Sequence, residues 1–370
     1  MHPLAGSNPA TLLAALKRAG GVAAPKWLEI ALISAAVLAR QPFSLLEKSV
    51  VARTRSTAPP APPPLFILGH WRSGTTHLYN IMSKADFGYI PPVATGLPWD
   101  FMIMGRIFRT ALERALPRHR YIDNIPVLPD SPQEDEIALA NMTPLSFYHA
   151  LYFPKNFDRF FSQGLFFEGC TPGQIHDWQQ KFTRLTEKLW LQQNKRILIK
   201  NPVYTARLGL LRQMLPQAQY IHISRNPYDI FVSMRNFYTK LFAQFALQPY
   251  GHVDIDKVIL ETYPAMMHAL QRDAAGLPEP SFIDVRYEDL EADPIGQIAL
   301  IYRRLGLEGF EAARPKFESY LSSVTSYKKN AFALDDETAR LIEKHWGAFI
   351  EQGRYRRPGL GAPSLAPTPS

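Results

Sequence analysis

The sequence predicts an α/β fold: a parallel β-sheet flanked by helices, with a helical cap and a helical N-terminal extension. Three observations predict it. Four short apolar runs, Leu65–Gly69, Arg196–Lys200, Gln219–Ser224 and Ser281–Arg286, read as buried strands. Each is followed by a helical pattern, and strands separated by helices imply right-handed crossovers and a parallel sheet. Roughly 125 residues lie between the first two runs, far more than one crossover helix needs.

Taken in order, residues 1–56 read as the helical extension. Thr57 to Pro64 is a Pro-rich, stiff linker. Residues 65–357 form the main domain, with the helical cap inserted at about 90–195. Helix-like stretches near Met102–Leu116 and Ser131–Leu145 belong to that cap, which is expected to shape an acceptor pocket. Residues 358–370, rich in Pro, Ser and Ala, read as a disordered tail.

Composition narrows the function classes. The chain has 370 residues, 46% hydrophobic, with a net charge of +8. That balance suits anionic ligands or acidic surfaces, and equally a mildly basic soluble protein. No Lys/Arg block interleaved with aromatics stands out, so nucleic acid is not an expected partner. With one cysteine, Cys170, a disulfide framework within the chain is excluded and a cysteine metal site is disfavoured. A reducing, cytoplasmic setting is expected. Met1 to Ala24 shows no signal-peptide pattern. Trp27–Ala39 is largely apolar but shorter than the about 20 residues a membrane span needs. A helix docked on the domain is the first reading, and peripheral contact with a membrane surface the second.

The loop after the first strand reads Gly69-His-Trp-Arg-Ser-Gly-Thr-Thr76. Its Gly-x-x-x-x-Gly spacing is that of a phosphate-binding loop, in which backbone N–H groups and the following helix N-terminus face an anion. A nucleoside-triphosphate loop places Lys-Ser/Thr after the second glycine, whereas Thr75-Thr76 stand here. Arg72, Ser73, Gly74, Thr75 and Thr76 suit a 5'-phosphate bearing a further anionic group, without a metal. A plain tight turn before a helix is the competing reading. The third strand ends in Arg225-Asn-Pro-Tyr-Asp229, with Ser233 two helical turns on. Arg225 can fork onto a phosphate and Ser233 can donate to it. Alternatively, Arg225 pairs with Asp229 and Ser233 packs its helix.

Together these segments resemble the sulfotransferases that use 3'-phosphoadenosine 5'-phosphosulfate (PAPS), closest to a bacterial branch. Lys200-Asn-Pro202, Arg286-Tyr-Glu-Asp-Leu290 and Tyr327-Lys-Lys-Asn330 extend the likeness over roughly residues 65–355. The resemblance implies a fold like that of the P-loop NTPases, PAPS as donor and its 3',5'-diphosphate, PAP, as product. Arg72 to Thr76 then hold the phosphosulfate, Arg72 reaching the bridging oxygen, and Arg225 and Ser233 hold the 3'-phosphate. His77 falls where cytosolic members place a Trp near adenine. Lys200 reaches the sulfuryl group and acceptor. Lys328 or Lys329 replaces an Arg-Lys-Gly motif that this chain lacks, or is simply solvated.

The base is less legible. Cytosolic relatives carry a His where Pro202 stands, and other branches a Glu near the segment that reads Tyr89-Ile-Pro-Pro92. Glu134, Asp135 and Glu136 are the local candidates for catalysis. They also read as the first turn of a helix, with Ser131 and Glu134 forming a capping box. His70 and His77 stand in reserve as bases. The acceptor is expected to be a small molecule, apolar or lipid-like, with a hydroxyl or amine. Trp99, Phe101, Met102, Ile103, Met104, Ile107 and Phe108 either line its pocket or pack the cap. A P-loop kinase and a non-catalytic PAP-binding protein are the alternatives.

Overall fold

The computed structural model describes residues 2–116, 127–324 and 334–358. Lys328, Lys329 and nearly all of the 358–370 tail lie outside them. The sheet has four parallel strands in the order β2-β1-β3-β4: β1 is Leu65–Leu68, β2 Leu198–Lys200, β3 Gln219–Ser224 and β4 Phe282–Arg286. All four expected strands are present. Their apolar runs follow from helices covering both faces, and every residue of β1 and β2 is buried.

β1 pairs with β2 on one side and β3 on the other. The chain crosses from one side of β1 to the other between them. Loops after β1 and β3 therefore open a crevice at the carboxyl end of the sheet, where such folds bind ligands. Helix Thr75–Met82 follows β1 and helix Pro227–Phe245 follows β3. Pro227 pre-sets the first turn of the latter, and the Asn226 side chain caps it by accepting from the Tyr228 N–H.

After helix Thr75–Met82, seven further α-helices precede β2 among the described residues, from Pro92–Gly96 to the 22-residue Pro172–Gln193. The expected helix at Ser131 is absent. Residues 131–134 form a loop, and a five-residue helix, Glu136–Ala140, begins later. Ser131 Oγ accepts from the Leu128 N–H, so no capping box forms.

The N-terminal extension is helical and integral to the body. Leu4, Leu12, Ile33 and Val37 share a core with Phe147, Phe153 and Phe237. Arg40 is buried and binds Asp100 through Nε and Nη2, at 3.1 and 2.9 Å. Glu47 of helix Gln41–Thr57 forms a buried ion pair with Lys188 of the long cap helix. Burial works against both charges, raising the Glu47 carboxyl and lowering the Lys188 ammonium to about 8, while their mutual attraction and hydrogen bond oppose it.

Candidate active site

The β1 loop is shaped by two glycines. Gly69, at φ 148°, would put a Cβ 2.6 Å from the Ile223 carbonyl oxygen. Gly74, at φ 97°, would put one 2.1 Å from the Tyr287 ring. Neither position admits a side chain without displacing β3 or Tyr287. Arg72 also lies in the left-handed region, at φ 69°. Left-handed residues at 72 and 74 fold the loop into a compact turn that leads into helix Thr75–Met82, the geometry of an anion nest. The Gly69 N–H donates to Thr205 Oγ1 at 2.8 Å, tying the loop to the segment after β2.

The two halves of the sequence signature meet. Arg72 Nε donates to Ser233 Oγ at 2.8 Å, and Arg225 Nη1 donates to the Arg72 carbonyl at 3.0 Å. The Arg225 guanidinium lies 4.6 Å from the Tyr287 ring centroid and 3.6 Å from Asp229. So the simple ion pair with Asp229 does form, but it is long and is one of several Arg225 contacts. Arg72 therefore joins the phosphosulfate loop to the Ser233 side of the crevice. His77 faces the Tyr287 ring edge-on, with centroids 6.5 Å apart.

Two polar atoms indicate what the crevice accommodates. Ser73 Oγ and Arg225 Nε are buried and have no hydrogen-bond partner among the described residues. Buried polar groups are rarely left so, and a donor pair beside a glycine nest fits a phosphate-bearing ligand.

The three adjacent acids diverge. Glu134 binds the Lys200 ammonium, and Lys200 Nζ also donates to Thr76 Oγ1 at 3.2 Å. A loop hydroxyl, a strand-end lysine and a carboxylate thus meet at one point. Lys200 is 2% exposed and the Glu134 side chain 19%, so the carboxylate forms the open edge. Asp135 and Glu136 turn inward. Asp135 accepts from the Tyr204 hydroxyl and from Asn201 Nδ2, at 2.9 Å for the latter. Burial pushes its carboxyl up to about 7. Glu136 accepts from Asn201 Nδ2 at 2.8 Å, Ser146 Oγ at 2.8 Å and the Phe147 N–H at 3.0 Å. Both acids are sealed from the crevice, 3% and 1% exposed.

His70 is equally sealed, with Nδ1 on the Trp71 carbonyl and its ring against Tyr263; burial lowers it to about 4. The apolar cap stretch splits. Trp99 and Phe101 are buried, and Trp99 Nε1 donates to the Asn141 carbonyl at 2.8 Å. Met102, Ile103 and Met104 are half-buried, whereas Ile107 and Phe108 face solvent.

Sequence reasoning gave no role to Tyr287, Thr205 or Tyr204. Tyr287 stood inside a noted motif, but its use as a wall against Gly74 and a seat for Arg225 depends on β4 lying beside β3.

A parallel sheet with an anion loop, an arginine on the adjoining strand and a lysine–carboxylate pair beside both defines a group-transfer enzyme with a nucleotide donor. The model of the sulfotransferase family matches residues 63–312, and the chain belongs to that family. The omega-hydroxy-beta-dihydromenaquinone-9 sulfotransferases Stf3 of Mycobacterium bovis and Mycobacterium tuberculosis are 30% identical to it over 315 residues, 85% of this chain and 81% of theirs. Among solved structures, sulfotransferase STF9 from Mycobacterium avium superposes with a TM-score of 0.66 at 15% identity, covering 96% of this chain and 98% of that one. Sulfotransferase STF1 from Mycobacterium tuberculosis gives 0.61 at 18%, covering 91% and 90%. At these identities the likeness shows the fold. The chain is a sulfotransferase, as the resemblance implied, which removes the kinase alternative.

Proposed function

We propose that this sulfotransferase transfers the sulfuryl group of PAPS, without a metal, to a hydroxyl of an apolar, lipid-like acceptor, with Glu134 as general base. The observation that carries the reading is the meeting of Glu134, Lys200 and Thr76 at the rim of the anion loop. PAPS supplies the sulfuryl group, and the acceptor O–S bond forms as the S–O bond to the 5'-phosphate breaks. Positioning and charge stabilisation dominate such displacements. The loop N–H groups with Ser73, Thr75 and Thr76 hold the 5'-phosphate. Arg225 and Ser233 hold the 3'-phosphate, with Arg72 beside them. Lys200 carries fixed positive charge to the transferring group in a sheltered site. Glu134, at the open edge, receives the hydroxyl proton. Asp135 and Glu136 are positioning residues: they clamp Asn201 and so fix Lys200 next to it. His77, against Tyr287, lies on the adenine side.

One observation supports a lipid-like acceptor: the Stf3 relatives act on a menaquinone derivative. The test is sulfate-ester formation from PAPS with hydroxylated prenyl lipids and with short alcohols and phenols. Faster turnover of the long-chain alcohols is expected; a preference for a short phenol or an amine sinks the acceptor assignment. Thermal shift tests the donor, since a ligand of the folded state stabilises it by mass action. PAP should raise Tm well beyond ATP–Mg²⁺, and equal shifts contradict PAPS as donor.

A further inference from the structure

A helix that is apolar on nearly every side belongs in a core. Trp27–Ala39 has one acidic residue, Glu29, yet buries only Ile33 and Val37. Trp27 is 69% exposed and Leu28 73%, with Leu32 and Leu38 also in solvent. The next helix, Gln41–Thr57, follows at a bend of 43° and exposes Leu45 and Leu46. Beside it, exposed Phe108 meets Phe43 edge-on at 5.6 Å. Monomeric soluble proteins rarely leave so much adjoining apolar surface uncovered.

Charge identifies what covers it. Glu29 is neutralised by Lys26 at 2.9 Å, and Glu47 is buried against Lys188. The charged groups that the second helix leaves at the surface are Lys48, Arg53 and Arg55, the last also reaching Glu187 at 3.0 Å. Arg106 is exposed beside Phe108. Exposed apolar side chains flanked by cations match a helix lying on anionic lipid. A second copy docked face to face would set these cations against their own kind.

The pair is also fastened to the body on its inner side. Arg40, at the bend, is buried on Asp100 and the Ala5 carbonyl. Glu47 is fastened to the cap through Lys188. Among the described residues, no single helix is long and apolar enough to cross a bilayer.

We infer that the helices Trp27–Ala39 and Gln41–Thr57 form a docking surface for an anionic bilayer. Their apolar side chains enter the headgroup–acyl boundary and their cations meet lipid phosphates. The inference rests on the lipid-acceptor reading for its purpose, but its test does not require turnover.

Full-length protein is sedimented with vesicles of phosphatidylcholine alone and with phosphatidylglycerol added, at low and high salt. Binding is expected to be about tenfold or more stronger with phosphatidylglycerol, and weaker in salt. Trp27→Glu with Leu28→Glu should lower it by about tenfold or more. Lys48→Glu with Arg53→Glu should erase the preference for anionic lipid. All four positions are exposed, and an unchanged PAP-induced thermal shift confirms a folded nucleotide site. Absence of wild-type binding at every composition, or equal binding by the Trp27/Leu28 variant, overturns the inference. So does a wild-type dimer that the same variant dissolves while vesicles are ignored, since a second copy then covers the face. Failure of sulfation on lipid alcohols in detergent, with vesicle binding intact, counts against the acceptor reading alone.

Discussion

Replacing Glu134 by glutamine keeps the shape of the side chain and a hydrogen-bond acceptor for Lys200, but removes the negative charge. Two consequences can be separated. Lys200 is 2% exposed and Glu134 19% exposed, so the pair is sheltered on one side and open on the other. Breaking a fully buried pair costs about 3–5 kcal/mol. The open edge and the retained amide acceptor bring the expected stability loss down to about 1–3 kcal/mol. Catalysis responds by a different measure. A general base is worth about 10²–10⁴ in rate, or roughly 3–5 kcal/mol of barrier. Single-turnover sulfation at saturating PAPS should therefore slow by about 10²–10⁴, with PAP affinity, read by calorimetry, essentially unchanged. A slowing of less than about tenfold, or one matched by loss of PAP binding, refutes Glu134 as the base and leaves the pair a structural one.

Further outcomes follow from the same geometry. Arg225→Ala should weaken PAP by about 2–3 kcal/mol, a lost hydrogen bond to a charged group, while adenosine 5'-phosphosulfate, lacking the 3'-phosphate, should bind both proteins alike; equal loss for both ligands in calorimetry contradicts a 3'-phosphate role. Sulfation should survive EDTA, because Lys200 and the loop supply the charge that a metal would otherwise provide; complete loss restored by Mg²⁺ counts against this. Burial raises the Asp135 carboxyl to about 7 from an unfolded value of 3.8, so between those values the native state holds a proton that the unfolded chain has released. Its contribution to stability therefore declines as pH rises from about 4 through 7, and Asp135→Asn should flatten that decline in Tm against pH.

How much of this was legible in the sequence depended on how local the cause was. The strands were readable because both sheet faces are covered, which makes Leu65–Leu68 and Leu198–Lys200 continuous apolar runs. The anion loop was readable because its glycines answer a local backbone need, such as φ 97° at Gly74. The capping box at Ser131 was misread because a distant partner won. Glu134 is engaged by Lys200, 66 residues away, and the local pattern could not reveal that competition. The inward turn of Asp135 and Glu136 was hidden for the same reason: Tyr204 and Asn201 reach them only once β2 is in place. The solvent-facing surface of Trp27–Ala39 was partly legible as an apolar segment too short to span a membrane. Its exposure depends on how Arg40 and Glu47 fasten the chain behind it.

The pairing of consecutive residues explains why one acid remains reactive while its neighbours do not. Lys200 binds Glu134, and Asn201 binds both Asp135 and Glu136, so two short segments are clasped side by side. Burying a carboxylate is costly unless every oxygen is met by a donor. The inner part of the clasp meets that demand with Asn201, Tyr204, Ser146 and the Phe147 N–H. The same donors leave those acids no freedom to approach an acceptor. The outer part is met by the Lys200 ammonium, whose three donors can serve a carboxylate and an incoming anion together. A fully bonded inner pair and an outer pair at the crevice edge, on adjacent residues, therefore give the proposed base a position fixed by buried hydrogen bonds and a charge partner that can also serve the transferring group.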